Sequence, residues 1–83
     1  MGRDALTGPV TSFIAGELRA QKGRLGWTLD EIEAQSGVPR TTADRALKGK
    51  TALAVEVLLP LCQAMGLDAA ALMVAANKSL NAK

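Results

Sequence analysis

The feature that most constrains this chain is its punctuation. Glycine recurs behind successive stretches of helically spaced apolar residues, at Gly23, Gly37, Gly49 and Gly66. Glycine enters the left-handed backbone that ends a helix without steric cost. The stretches between these breaks are short, so the chain is confined to short helices that must pack on one another to be stable. Composition points the same way. Fifteen of the 83 residues are alanine, the strongest helix former, and β-branched residues are few and scattered. The expected fold class is all-α, a compact bundle of about five short helices. A chain of this length has room for one small domain.

Apolar positions Val10, Phe13, Ile14 and Leu18 follow Gly8-Pro9 at helical spacing. They predict a first helix over about residues 9–22, ended by Gly23. Arg19 and Lys22 fall in its last turn, where cations complement the helix dipole. Gly23 to Gly26 reads as a loop. Thr28 and Glu31 then have the spacing of a capping box, with Trp27 and Ile32 as the hydrophobic staple across it. This opens a second helix that runs to about Gln35. Gly37 turns the chain, Val38 plugs inward, and Pro39 opens a third helix that continues through about Leu47 and ends at Gly49. Residues 51–55 carry no clear pattern. Leu58, Leu61, Cys62 and Met65 predict a fourth helix over about 55–65. Pro60 conflicts with a regular interior, so a kink or a later first turn is expected. Gly66 stops this helix. Asp68 caps a fifth, with Leu67 and Leu72 as its staple, and this helix fades by Asn77. Residues 1–8 and 77–83 are expected to be flexible, with one domain between them over 9–76.

Several functions lack their chemistry. The chain has no histidine, so neither Ser-His-Asp nor Cys-His catalysis is available. One cysteine without histidine does not supply the ligand set of a zinc site, and no cofactor motif occurs. Cys62 lies among Leu59, Leu61 and Met65, which reads as a small buried hydrophobe rather than a nucleophile. No apolar run reaches the length of a membrane span, and the N-terminus lacks a signal-peptide pattern. A cytoplasmic protein without enzymatic activity, membrane association or an evident small-molecule ligand is expected. The net charge is only +2, but residues 40–50 hold Arg40, Arg45, Lys48 and Lys50 against Asp44 alone. The positive field is concentrated in mid-chain.

That charge lies on the informative stretch, residues 28–48. It reads as helix, glycine turn, helix, with about four residues between the helices, a connection that makes two helices cross steeply. The outer face of the second helix carries Arg40, Thr41, Asp44, Arg45 and Lys48. Its inner face carries Ala43, Ala46 and Leu47. The segment TLDEIEAQSGVPRTTADRALKGK, residues 28–50, resembles the helix-turn-helix of phage-repressor-like DNA-binding domains of the lambda repressor and Cro type. Residues 58–73 look like the closing helices of the same domain, so the resemblance spans roughly residues 10–75. Its marks are Thr28, Ile32, Gly37, Val38 and the Gly49-Lys50 exit.

The resemblance implies double-stranded DNA as partner, with the second helix in the major groove. The positions matching the family's base readers are Arg40, Thr41 and Arg45. Those matching its phosphate contacts are Thr28, Leu29, Lys48 and Lys50, with Thr42 ranked lower. Leu29 could serve only through its backbone N–H. The chain departs from the family pattern at Glu33, where alanine is usual because two helices meet. A carboxylate there calls for an exit or a partner, with Arg40 and Arg45 as candidates. Pro39 replaces the usual hydroxyl cap. Ala43 and Ala46 are smaller than the common residues.

The resemblance further implies a homodimer on a palindromic operator, with Leu67, Leu72, Met73 and Val74 as candidate dimer face. The expected function is a sequence-specific transcriptional regulator, a minimal phage repressor, a Cro-like protein or a small toxin–antitoxin regulator. The alternative is a protein-interaction module, such as an antitoxin-like accessory regulator, that keeps the fold with weak or no DNA binding. Charge alone allows a plainer reading of the same helix, in which Arg40 pairs with Asp44 on a solvated face.

Overall fold

The structure is a computed structural model that describes residues 5, 6, 9–49 and 53–81. Among these the chain forms five helices and two very short strands. In order they are β1 (Ala5–Leu6), α1 (Pro9–Leu25), α2 (Leu29–Ser36), α3 (Arg40–Lys48), β2 (Leu53–Ala54), α4 (Val55–Met65) and α5 (Ala69–Asn81). The all-α expectation holds. The strands pair antiparallel, Ala5 with Ala54 and Leu6 with Leu53, and join the start of the chain to the entry of α4.

The helical face of each segment becomes its buried face. Ile14 and Leu18 of α1, Ile32 of α2, Leu47 of α3, Leu58, Leu61 and Met65 of α4, and Leu72 and Ala76 of α5 form one core, closed by Val38 and Leu53. Trp27 packs against it, partly buried. Helix α1 lies against α3 and α5, and α2 lies against α3 and α4. Helix α3 is therefore held on both sides by its inner face. Ala43 and Ala46 are buried there, and their small side chains let the neighbouring helices approach closely.

The helix ends follow local chemistry with two corrections. Helix α1 does not stop at Gly23 but continues to Leu25. Gly26 takes the left-handed conformation, with φ 70°. Its N–H donates to the Lys22 and Gly23 carbonyls at 2.9 and 3.2 Å, which closes the last turn. Helix α4 begins at Val55 with Pro60 inside it. The missing proline N–H leaves the Glu56 carbonyl without its usual intrahelical donor, near the wet outer end of the helix. The first turn is not displaced. Helix α5 runs to Asn81, beyond the fading expected at Asn77, because nothing in that alanine-rich run interrupts it. Asp68 caps it as anticipated: Oδ1 accepts from the N–H groups of Ala70 and Ala71 at 2.9 and 3.3 Å. No single helix among the described residues is long and apolar enough to cross a membrane.

Candidate nucleic-acid interface

The helix pair α2–α3 is built by local bonds that the sequence predicts. The Thr28 hydroxyl accepts from the Glu31 N–H at 3.2 Å, and Glu31 Oε1 accepts from the Thr28 N–H at 2.7 Å. The reciprocal capping box is complete. Helix α2 ends at Gly37, whose φ of 79° is left-handed and whose N–H donates to the Glu33 carbonyl. Ser36 adds a bond that the pattern does not announce. Its hydroxyl donates to the Ile32 carbonyl at 2.6 Å and accepts from the Val38 N–H at 3.1 Å. That bridge sets the turn and drives Val38 into the core.

Helix α3 starts at Arg40, with Pro39 as its N-cap. The proline offers no side-chain bond to the first turn. The first-turn N–H groups are thus left for solvent or an outside acceptor. The outer face presents Arg40, Thr41, Arg45 and Lys48 exposed, while Ala43, Ala46 and Leu47 are buried. Arg40 does not pair with Asp44 along its own helix. Its Nη1 lies 3.3 Å from Asp30 Oδ1, on α2. Asp44 instead meets Lys48 Nζ at 3.0 Å, one turn on. Among the described residues the Arg45 side chain has no hydrogen bond or ion pair, so it projects as an uncompensated cation.

The phosphate-contact candidates divide. Thr28 is exposed, but its hydroxyl lone pair and its N–H are committed to the cap. Leu29 is half-buried against the core, and its amide at the start of α2 has no intrahelical acceptor. Thr42 is half-buried. Lys48 is exposed beside Asp44. Lys50 lies outside the described residues. Glu33 takes the exit rather than a partner: it is exposed on the outer surface of α2. Of the candidate dimer residues, Leu72 is corrected to the core at 7% exposure, since it closes the cap of α5 against the bundle. Leu67 is half-buried against the same core. Met73 and Val74 face outward, at 38% and 57% exposure.

Three further residues escape sequence reasoning because their partners are distant in the chain. Asp30 pairs with Arg40 as described. The Arg19 guanidinium donates to the Leu47 carbonyl at 2.6 Å, fixing the end of α3 to α1. Gln21 Nε2 donates to the Met65 carbonyl at 2.8 Å, doing the same for α4. An open cleft of about 340 Å³ is lined by Arg19 and Lys22 of α1, Leu29 of α2, and Asp44, Leu47 and Lys48 of α3. Cys62 is buried and unbonded to another cysteine; burial first, and then the nearby Asp68 charge, push its thiol pKa up. It therefore stays protonated, as expected of a core residue. No group of three or more His, Cys, Asp or Glu among the described residues is placed to hold a metal ion.

Two helices joined by a glycine turn, the second with a cationic outer face, define the DNA-binding helix-turn-helix class. The chain belongs to the helix-turn-helix domain family, which matches residues 14–73. No curated protein matches it. Among solved structures it is similar to the clp gene regulator ClgR from C. glutamicum, with a TM-score of 0.71 and 23% identity over 89% of this chain and 95% of that one. It is also similar to a point mutant of the restriction-modification controller protein C.Esp1396I, with a TM-score of 0.72 and 12% identity over 90% of this chain and 95% of that one. At these identities the likeness is one of fold. It agrees with the phage-repressor-like resemblance read from residues 28–50.

Proposed function

We propose that this chain is a sequence-specific regulator of transcription that binds double-stranded DNA, with α3 in the major groove. The observation that carries the reading is the division of α3 into two faces: Ala43, Ala46 and Leu47 hold it to the body, and Arg40, Thr41 and Arg45 stand clear. Arg40 and Arg45 are suited to the O6 and N7 acceptors of guanine. Thr41 offers a hydroxyl to a base or phosphate, or a methyl to thymine. The open amides at the starts of α2 and α3, with Lys48 and Lys50, supply phosphate contacts. A homodimer on a palindromic operator is part of this reading, because one such module buries only roughly 600–1,000 Å² on DNA. The reading includes no catalytic residue and no cofactor, and it places the protein with the DNA inside the cell. The resemblance of residues 28–50 favours a repressor of Cro-like or phage type.

Selection of bound duplexes from a random pool, followed by titration of the R40A and R45A variants, tests the reading. Each variant is expected to lose about 1–3 kcal/mol on the selected duplex and to relax one base preference, with helicity unchanged. Affinity should also fall by orders of magnitude between low and moderate salt. If the parent enriches no sequence and both variants bind every duplex like the parent, the face is not a DNA reader. An interaction module that keeps the fold would then be the reading to adopt.

A further inference from the structure

Arg40 stands where its own helix does not favour it. It is the first residue of α3, at the positive end of the helix dipole, and α3 has no acidic residue in its first turn and no side-chain cap. Its compensation comes from another helix, where Asp30 Oδ1 meets Arg40 Nη1 at 3.3 Å. Asp30 lies in the first turn of α2, where its charge suits the helix dipole, and it is not needed for the cap. The cap of that helix is closed by Thr28 and Glu31, and Asp30 takes no part in those bonds. The two side chains are 73% and 58% exposed, Asp30 the more so. An ion pair so exposed adds little to stability. What it does is restrict a long side chain that would otherwise spread over many rotamers and be costly to order on binding. One contact through Nη1 leaves the other N–H groups of the guanidinium fork open to a second acceptor.

We propose that Asp30 is a positioning residue for Arg40: it holds the guanidinium ready for a guanine edge and opposes its capture by a DNA phosphate. The proposal rests on the DNA reading above. A guanine edge presents two neutral acceptors, which tolerate a carboxylate on the far side of the guanidinium. A phosphate drawn to Arg40 would lie beside the Asp30 carboxylate and be repelled by it. Asp30 thus separates the two kinds of acceptor that compete for one arginine. Asparagine at this position keeps the shape and removes the charge that does the separating.

The test reads base preference position by position. The full-length parent, D30N, R40A and R45A are titrated with the duplex selected from a random pool and with its single-pair variants. R40A and R45A identify the base pair that each arginine reads. D30N is expected to lower the preference at the Arg40 pair by about three- to tenfold, and to leave the preference at the Arg45 pair unchanged. A general change of charge or a loosened α2 would move both. If D30N lowers both preferences alike, or lowers neither while R40A still erases its own, Asp30 is not a positioning residue and the DNA reading stands. If the parent prefers no duplex over another, the DNA reading fails, and this proposal with it.

Discussion

At the scale of single residues, two glycines show how the same residue type serves opposite needs. Gly49 has a φ of 69°, and a Cβ placed on it would meet the Ala15 Cβ at 2.9 Å. It ends α3 and lets that helix touch α1. Gly23 has an ordinary helical backbone with nothing within 4 Å of such a Cβ. Gly49→Ala should therefore destabilise the fold by about 2–4 kcal/mol, combining left-handed strain with overpacking. Gly23→Ala should stabilise it by about 0.5–1 kcal/mol. Urea denaturation of both variants decides the matter, and similar effects from the two would refute this account of Gly49. The contrast also marks a limit of sequence reading. Gly23 and Gly26 are equally good stop signals on paper, and only the closing bonds to Lys22 and Gly23 select the second. Cys62 offers a test by pH. Its thiol pKa is raised, so the folded state keeps a proton that the unfolded chain releases above about pH 8.5. The stability gained from the buried neutral thiol is whole below that pH and is lost as pH rises further. The stability gap between the parent and C62A should narrow from pH 7 to pH 10; a constant gap would refute the shift.

At the scale of elements, what was legible is what is local. The capping box at Thr28 and Glu31, the glycine turn at Gly37 and the inner face of α3 depend on residues within about a turn of one another. The structure has them as expected. The long-range ties were not legible. Arg19 reads as a cation at the end of α1, yet its guanidinium reaches the Leu47 carbonyl, 28 residues away, at the end of α3. Nothing in the spacing of either segment names the other. The same holds for the β1–β2 pairing, where two residues bond through backbone alone and leave no side-chain pattern. The Arg19 bond gives α3 an anchor at the end remote from Arg40. R19M keeps the apolar stem and removes the donor, and is expected to cost about 1 kcal/mol of stability. Hydrogen exchange should also speed up in the last turn of α3 rather than across α1. Uniform acceleration along α1 would place the role of Arg19 in its own helix instead.

The net charge of the whole molecule, +2, is too small to name a partner. The arrangement says more: α3 carries Arg40, Arg45 and Lys48 on its exposed face, while four of the five exposed large apolar residues among those described lie on α4 and α5. Val55 and Leu59 of α4 are 45% and 46% exposed, and Met73 and Val74 of α5 are 38% and 57% exposed. Of the four candidate dimer residues, the fold keeps Met73 and Val74 at the surface and takes Leu72 for the core. Sequence could not sort them, because an amphipathic helix shows its periodicity without showing which stripe meets the bundle. If Met73 and Val74 join two copies, each α3 supplies one half-site, and the half-sites should lie about 34 Å apart. The second contact then forms at high effective concentration, which multiplies affinity without any new base contact. Val74→Glu places a charge in that interface and touches neither the core nor α3. It should shift the protein to monomer in sedimentation equilibrium and weaken binding to a palindromic duplex by at least about tenfold, while binding to a duplex with one half-site stays unchanged. A V74E protein that still sediments like the parent and still binds the palindrome as tightly would remove α5 from the interface.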